Sequence, residues 1–584
     1  MRPEETLQGI PASPGVTFGR PFFLDSEGFN IQAQSVSDGD VVGEIARFED
    51  ALIQTRSEIL RIQKKIFEEM GKEHGEIFTA HLLVIEDRAL IEEVVTRVKS
   101  EKLNVEYIFL DVLKKFMNAF YKIEDEYIRE RIADIEDVGK RILRSLLGKQ
   151  RQTLQDLKEP VIVVAYDLSP SDTALMHRQN VKGFVTDIGG RPSHTAIMAK
   201  SLEIPAVVGL EIVTEKVTKD DFLIIDGAQG VVIINPTEET IRRYTGEQKR
   251  LEELDRSLFK LKDLPAETLD GHRVTLSANI ELPHEIPSII SHGAEGVGLY
   301  RTEYFYMNRV DLPTEEEHFE AYRRVAEEVA PHPVIIRTLD LGGDKFLSQL
   351  EIPNEMTPFL GWRAIRFCLA RPDIFKVQLR AVLRASGQAR GRLRLMYPMI
   401  SGLEELQQTN AVLGEVKAEL RRDNIPFDEE IKVGAMIEIP SAALTCDLLA
   451  KEVHFFSIGT NDLIQYALAV DRSNEKIAYL YEPAHPAVLR LVKNIIETAH
   501  RFHLWVGMCG EMAGDPRLAL ILLGMGLDGF STSAVNIPEI KRMIRAVKMV
   551  EAKEIAEEAL SLSTGREIEE FIEKKSRQIL RREG

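Results

Sequence analysis

The sequence predicts a multidomain α/β protein: a small α/β domain with an inserted all-α helical bundle, joined by a linker helix to a C-terminal (β/α)8 barrel. Three observations predict it. The second half carries eight short apolar runs, several of them ending in a charged or reactive residue, the habit of buried parallel strands whose C-terminal ends carry chemistry. The chain from Pro21 to Pro160 has no internal proline and repeats apolar residues at helical steps, the mark of packed amphipathic helices. Short strand-like runs punctuated by glycine and proline stand on either side of it.

Taken in order, Gly9–Phe18, Val161–Ala165, Gly183–Asp187, Ala206–Gly209, Phe222–Asp226 and Val231–Ile234 are the strand-like runs of the small domain, assigned to residues 1–25 and 149–235. Ile45, Phe48, Leu52, Ile59, Ile62 and Ile66 mark the inserted bundle, residues 26–148. Residues 236–262 are charged with little apolar surface, as suits a helix bridging domains. Residues 263–584 hold the barrel, with strands expected at Val274–Ile280, Gly296–Tyr300, Val334–Arg337, Leu393–Tyr397, Val433–Ile437, Phe455–Ile458, Leu504–Met508 and Asp528–Ser531. Gly565–Gly584 reads as a charged terminal helix.

At 584 residues the chain exceeds one core, and three or four domains are expected. No apolar run is long enough to span a bilayer and the N-terminus lacks a signal-peptide core, so the cytoplasm is the expected compartment. Cys368, Cys446 and Cys509 are widely spaced without a CxxC, which suggests neither a disulfide framework nor a zinc site. A net charge of −19 argues against general nucleic-acid binding. Against that background, cations gathered at strand ends point to an anion held in one cleft.

The chemistry starts at Gly189-Gly190-Arg191-Pro192-Ser193-His194-Thr195-Ala196, which sets His194 between a strand-like run and an expected helix from Thr195 to Leu202. An imidazole beside a helix N-terminus is placed to accept a phosphoryl group. In the barrel, Arg301 and Arg337 end apolar runs, and guanidinium groups bind phosphate and carboxylate through paired hydrogen bonds. Glu438 and Asp462 follow consecutive strands, so their carboxylates can converge on one ion, helix capping being the other use for Asp462 after Gly459-Thr460-Asn461. Cys509 follows another strand and can deliver a proton to carbon. Cys368 and Cys446 lie in apolar helical patterns and are expected to be packing residues.

These motifs, from Gly9-Ile10-Pro11-Ala12-Ser13-Pro14-Gly15 to Gly529-Phe530-Ser531 and including Gly434-Ala435-Met436-Ile437-Glu438, Gly459-Thr460-Asn461-Asp462 and Gly507-Met508-Cys509-Gly510-Glu511, resemble the phosphoenolpyruvate-protein phosphotransferases, enzyme I of the bacterial sugar phosphotransferase system. The resemblance covers nearly the whole chain. It implies that phosphoenolpyruvate phosphorylates His194, that pyruvate is released, and that the phosphoryl group passes to the histidine phosphocarrier protein HPr. It also implies that Thr173 orients His194, that Arg301, Arg337, Lys345, Asn461 and Arg472 bind substrate, that Glu438 and Asp462 hold Mg2+, that Cys509 donates the proton, and that the barrel forms a homodimer. Glu73, His81 and Asp87 on the helical insert are candidates for contact with the carrier. Pro192 departs from the threonine usual in the family and removes a backbone N–H near His194. Asp172 stands where some members have glutamate.

Two rivals are weighed. A dikinase shares the phosphohistidine and barrel modules but needs a nucleotide-grasping domain, and only Met1 to about Asp25 precedes the insert. A silent signalling scaffold would bind carriers without needing the reacting residues that this sequence holds. Since one histidine must reach both substrate and carrier, rotation of the Val161–Ile234 domain is expected.

Overall fold

The computed structural model describes residues 2–24, 31–70, 81–82, 84–120, 126–148, 159–168, 180–189, 199, 204–306, 311–341, 358–472, 474 and 476–582. His194, Thr173, Lys345 and Glu73 lie outside them, as does most of the helix expected from Thr195 to Leu202. Among the described residues, no helix is long and apolar enough to cross a membrane. The chain divides into two compact units, Met1–Leu254 and Asp255–Gly584.

The first unit holds two sheets and a set of helices. Strands β1 (Glu5–Gln8), β3 (Val16–Gly19), β8 (Leu223–Asp226) and β9 (Val231–Ile234) form an antiparallel sheet in the order β1-β9-β8-β3. Strands β2 (Ile10–Ser13), β4 (Pro21–Phe23), β5 (Val161–Ala165), β6 (Val181–Thr186) and β7 (Ala206–Val208) form a second, in the order β2-β7-β6-β5-β4. The expected run Gly9–Phe18 is thus two strands in different sheets. The chain switches sheets at Gly15, whose φ of +122° and close approach to Pro205 exclude a side chain. β1 escaped notice because it is polar and pairs along one edge only. β4 is only three residues long.

Between β4 and β5 run helices Val41–Met70, Arg88–Glu101, Val105–Phe120 and Glu126–Leu146. Phe48, Leu52 and Ile59 are buried on the first, against Val94, Val98, Phe109, Val138 and Ile142, with Ile45 and Ile62 at the margin. The side chain of Ile66 lies outside the described set. The expected linker helix spans Glu238–Phe259, with Tyr244 and Ile241 on the Val16–Ile224–Ile233 cluster.

The second unit is a closed parallel barrel of eight strands: β10 (Thr275–Ile280), β11 (Val297–Tyr300), β12 (Val334–Arg337), β13 (Leu393–Tyr397), β14 (Lys432–Ile437), β15 (Phe455–Ile458), β16 (Trp505–Met508) and β17 (Gly529–Thr532). Each expected strand is present to within a residue, because buried barrel strands read as continuous apolar runs. The register slips between β10 and β11 at Ala278/Asn279, and between β11 and β12 after Val297. Cys368 and Cys446 are buried in helices Ile365–Ala370 and Cys446–Leu449. The terminal helix Gly565–Leu580 starts from a capping box between Thr564 and Glu567 and buries Ile568, Ile572 and Ile579 under its charged face.

Candidate active site at the C-terminal rim of the barrel

The C-terminal ends of the strands bring together residues far apart in sequence. Arg337 is the last residue of β12; Arg301, Glu438 and Cys509 each stand one residue past β11, β14 and β16. Asp462 is placed differently from expectation. It sits in the first turn of helix Thr460–Leu468, beyond β15, rather than on a strand end.

Arg337 is buried and salt-bridged on two sides, to Glu303 and to Asp340 at 3.0 Å. Burial works against its charge, but Glu303, Asp340 and Glu438 outweigh that and hold it protonated. Its Nε has no hydrogen-bond partner, and an unmade bond on a buried donor costs about 1–3 kcal/mol. Arg301 is partly exposed, with Nη1 2.5 Å from Glu281 Oε1. Arg472 lies near the rim, 3.7 Å from Glu511 and well exposed. The side chain of Asn461 accepts the Glu511 amide at 2.8 Å.

Three residues missed from the sequence, Glu303, Asp340 and Arg363, complete the buried array. Arg363 donates to Asp340 at 2.8 Å and to Asp462 at 3.3 Å, so Glu303, Arg337, Asp340, Arg363 and Asp462 alternate in charge along a connected chain. Burial opposes ionisation of Asp340, while Arg363 and Arg337 overcome it and hold its carboxyl below the usual range. Asp340 lies three residues past Arg337, the last residue of β12. Arg363 follows Gly361-Trp362 after a short 3-10 turn, where no strand-end signal exists.

Glu438 is almost fully buried and accepts the Met399 amide at 2.6 Å. Met399 itself has φ +56°, a conformation rare outside glycine. Burial, then repulsion from Asp462 and Asp340, pushes the Glu438 carboxyl well above its usual range. A cation between Glu438 and Asp462 would relieve that repulsion. Two hard carboxylates suit Mg2+, which takes one or two of them beside substrate oxygens. Among the described residues, no group of three or more His, Cys, Asp or Glu side chains is placed to hold a metal ion. Thr460 Oγ1, buried two residues before Asp462, has no hydrogen-bond partner.

Cys509 is buried, with the Ser457 hydroxyl donating to its sulfur at 3.2 Å. Its carbonyl accepts from Asn279 at 2.9 Å, and Asn279 accepts from Ser531 at 2.6 Å. Burial pushes the thiol up to about 11, with Ser457 and Arg337 pulling the other way. A thiol so placed keeps its proton at neutral pH.

On the helical insert, His81 is buried rather than on the surface where carrier contact was expected. Asp87 caps helix Arg88–Glu101, accepting the Leu90 amide at 3.0 Å, which accounts for a carboxylate there without a partner.

Comparison with known proteins agrees with this layout. Residues 255–549 match the family described as PEP-utilising enzyme, PEP-binding domain; residues 8–131 match its N-terminal domain and residues 157–230 its mobile domain. The phosphoenolpyruvate-protein phosphotransferase of Staphylococcus carnosus (strain TM300) is 46% identical over 567 residues, 97% of this chain and 98% of its own. That of Haemophilus influenzae (strain ATCC 51907 / DSM 11121 / KW20 / Rd) is 47% identical over 97% of this chain and 98% of its own. That of Geobacillus stearothermophilus is 47% identical, with 98% of each chain covered. A likeness of this extent, running from end to end over a barrel whose rim gathers buried cations and carboxylates, shows that the chain belongs to the phosphoenolpyruvate-protein phosphotransferase family.

Proposed function

We propose that this enzyme moves the phosphoryl group of phosphoenolpyruvate to His194 and then to the histidine phosphocarrier protein HPr, releasing pyruvate, as the first step of a sugar phosphotransferase system. The observation that carries the barrel half is Arg337: a buried, permanently charged guanidinium at a strand end with an unpartnered Nε. Beside its ion pairs with Glu303 and Asp340, it keeps one buried donor that an anionic ligand can satisfy. Arg301 and Arg472 add charge around it, with Lys345 and Asn461 as further substrate ligands.

Phosphoryl transfer asks chiefly for positioning and charge neutralisation. His194 attacks phosphorus as the P–O bond to the enol oxygen breaks, with Thr173 orienting the ring. Mg2+ bound by Glu438 and Asp462 would neutralise developing charge on the substrate oxygens. Enolpyruvate takes the Cys509 S–H proton at its methylene carbon and becomes pyruvate. The thiolate left behind keeps the Ser457 hydroxyl as a donor and is reprotonated from solvent. The carrier docks on the helical insert, the barrel mediates a homodimer, and the protein works in the cytoplasm.

Radiolabelled phosphoenolpyruvate tests the proposal. The wild-type chain should acquire one acid-labile label and pass it to purified HPr, and His194→Ala should acquire none. Label retained by His194→Ala, or a requirement for ATP, would remove this reading; the ATP requirement would favour a dikinase.

A further inference from the structure

Arg301 and Arg337 come from neighbouring strands whose ladder does not hold them in register. β11 and β12 pair Val297 with Val334 and Tyr300 with Ile336, so three residues advance on one strand against two on the other. Such a bulge re-aims the side chains that follow and leaves their spacing to other contacts. Beyond it the backbone bonds diverge: the Arg301 amide goes to Ile280 of β10, and the Thr338 amide to Met396 of β13.

One buried side chain spans the gap. Gln378, on helix Pro372–Gln388 behind the barrel wall, is fully buried. Its Nε2 donates to Thr302 Oγ1 at 2.9 Å, and its Oε1 accepts the Leu339 amide at 3.0 Å. Thr302, next to Arg301, donates its own hydroxyl to the Arg337 carbonyl at 2.9 Å. Both segments that carry the arginines are therefore tied to the same amide. Gln378 also donates to Tyr322 OH at 3.2 Å, which is held 2.9 Å from His318 Nδ1, and His318 Nε2 lies 3.2 Å from Tyr306 OH. Every polar atom of the Gln378 amide is engaged, so rotation of this side chain would strand buried donors and acceptors.

We propose that Gln378 is a positioning residue for phosphoenolpyruvate: through Thr302 and Leu339 it sets the spacing of Arg301 and Arg337 where the strand ladder has slipped. This rests on the reading of those arginines as substrate ligands. Loss of the tie lets two guanidinium groups drift relative to each other, which weakens a ligand that needs both.

The test uses the full chain with Gln378→Met, close in volume but without the amide, and Thr302→Val, which removes only the hydroxyl. Each should raise KM for phosphoenolpyruvate about tenfold, the scale of one or two buried hydrogen bonds, while kcat changes far less. The double variant should be no worse than Thr302→Val alone, since that variant already cuts both the Gln378 bridge and the direct bond to the Arg337 carbonyl. Thr302→Ser, which keeps the hydroxyl, should stand nearer wild type than Thr302→Val. A general loss of structure would instead depress kcat and thermal stability together. Arg301→Gln and Arg337→Gln serve as controls. If they leave KM unchanged, the assignment of the ligands fails; if they raise KM while a folded Gln378→Met does not, only the positioning role fails. Should Gln378→Met not fold, an unchanged KM in Thr302→Val overturns the proposal.

Discussion

The Nη1 of Arg363 stands 3.3 Å from Oδ1 of Asp462, so a carboxylate expected to serve a cation is already held by a guanidinium. The same arginine places Nη2 2.8 Å from Asp340, which pairs with Arg337. Arg363 thus couples Asp462 to Arg337 through Asp340, and groups that orient ligands in this way typically contribute about 10–100-fold in affinity or activity. Arg363→Gln should raise the Mg2+ concentration needed for half-maximal phosphorylation by about that factor. Arg363→Lys should recover part of it, since a lysine restores charge but not the forked geometry. A magnesium titration with unchanged midpoint in Arg363→Gln would discard the coupling.

Arg301 Nη1 lies 2.5 Å from Glu281, a contact that a bound anion must displace or share. Both side chains are partly exposed, and such pairs are worth about 0.2–1 kcal/mol. Glu281→Gln should therefore lower KM for phosphoenolpyruvate by about 1.4- to fivefold, an improvement rather than a loss. Steady-state kinetics at fixed Mg2+ measure it, and a raised KM would show that Glu281 helps to orient Arg301 instead.

How far the sequence foretold the site depends on what each residue does locally. Arg337, Glu438 and Cys509 were legible because each ends or follows a buried apolar run, and a charge or thiol there has few structural uses. Arg363 left no such trace. Its partners Asp340 and Asp462 are 23 and 99 positions away, and only the closed barrel brings them together. Gln378 was equally silent, since a glutamine on an amphipathic helix normally faces water. His81 misled in the opposite direction, by turning inward. In the small domain, Gly9–Phe18 looked like one strand because apolar pattern says nothing about which sheet receives it.

Glu285 offers a pH test. Burial, with Glu281 next, raises its carboxyl to about 7 from the usual 4.5, despite two backbone amides that favour the charged form. The folded state therefore binds the proton more tightly than the unfolded chain. Its contribution to stability is complete below about pH 4.5 and is lost as pH rises through 7. Glu285→Gln removes that dependence. Thermal unfolding should find the variant gaining on wild type between pH 5 and about 8, and parallel melting curves across that range would show that Glu285 ionises normally.

Cys509 sets the last expectation. Its thiol is pushed up to about 11, chiefly by burial, so from pH 6 to about 9 it remains an acid and cannot act as a resting thiolate. Ser457 donates to the sulfur at 3.2 Å, which opposes burial without outweighing it and stabilises the thiolate when the proton leaves. Removing the thiol should separate two events that wild type couples. In Cys509→Ala, phosphoenolpyruvate should still label His194, because the groups that bind and transfer phosphate are intact. Pyruvate formation on the enzyme should fall by about 10²–10⁴-fold, the usual worth of a positioned general acid. Single-turnover mixing with labelled phosphoenolpyruvate, quenched and assayed for both products, reads the two rates side by side. Pyruvate formed at the wild-type rate would return Cys509 to the packed interior of the barrel, beside Met396, Met436 and Phe455.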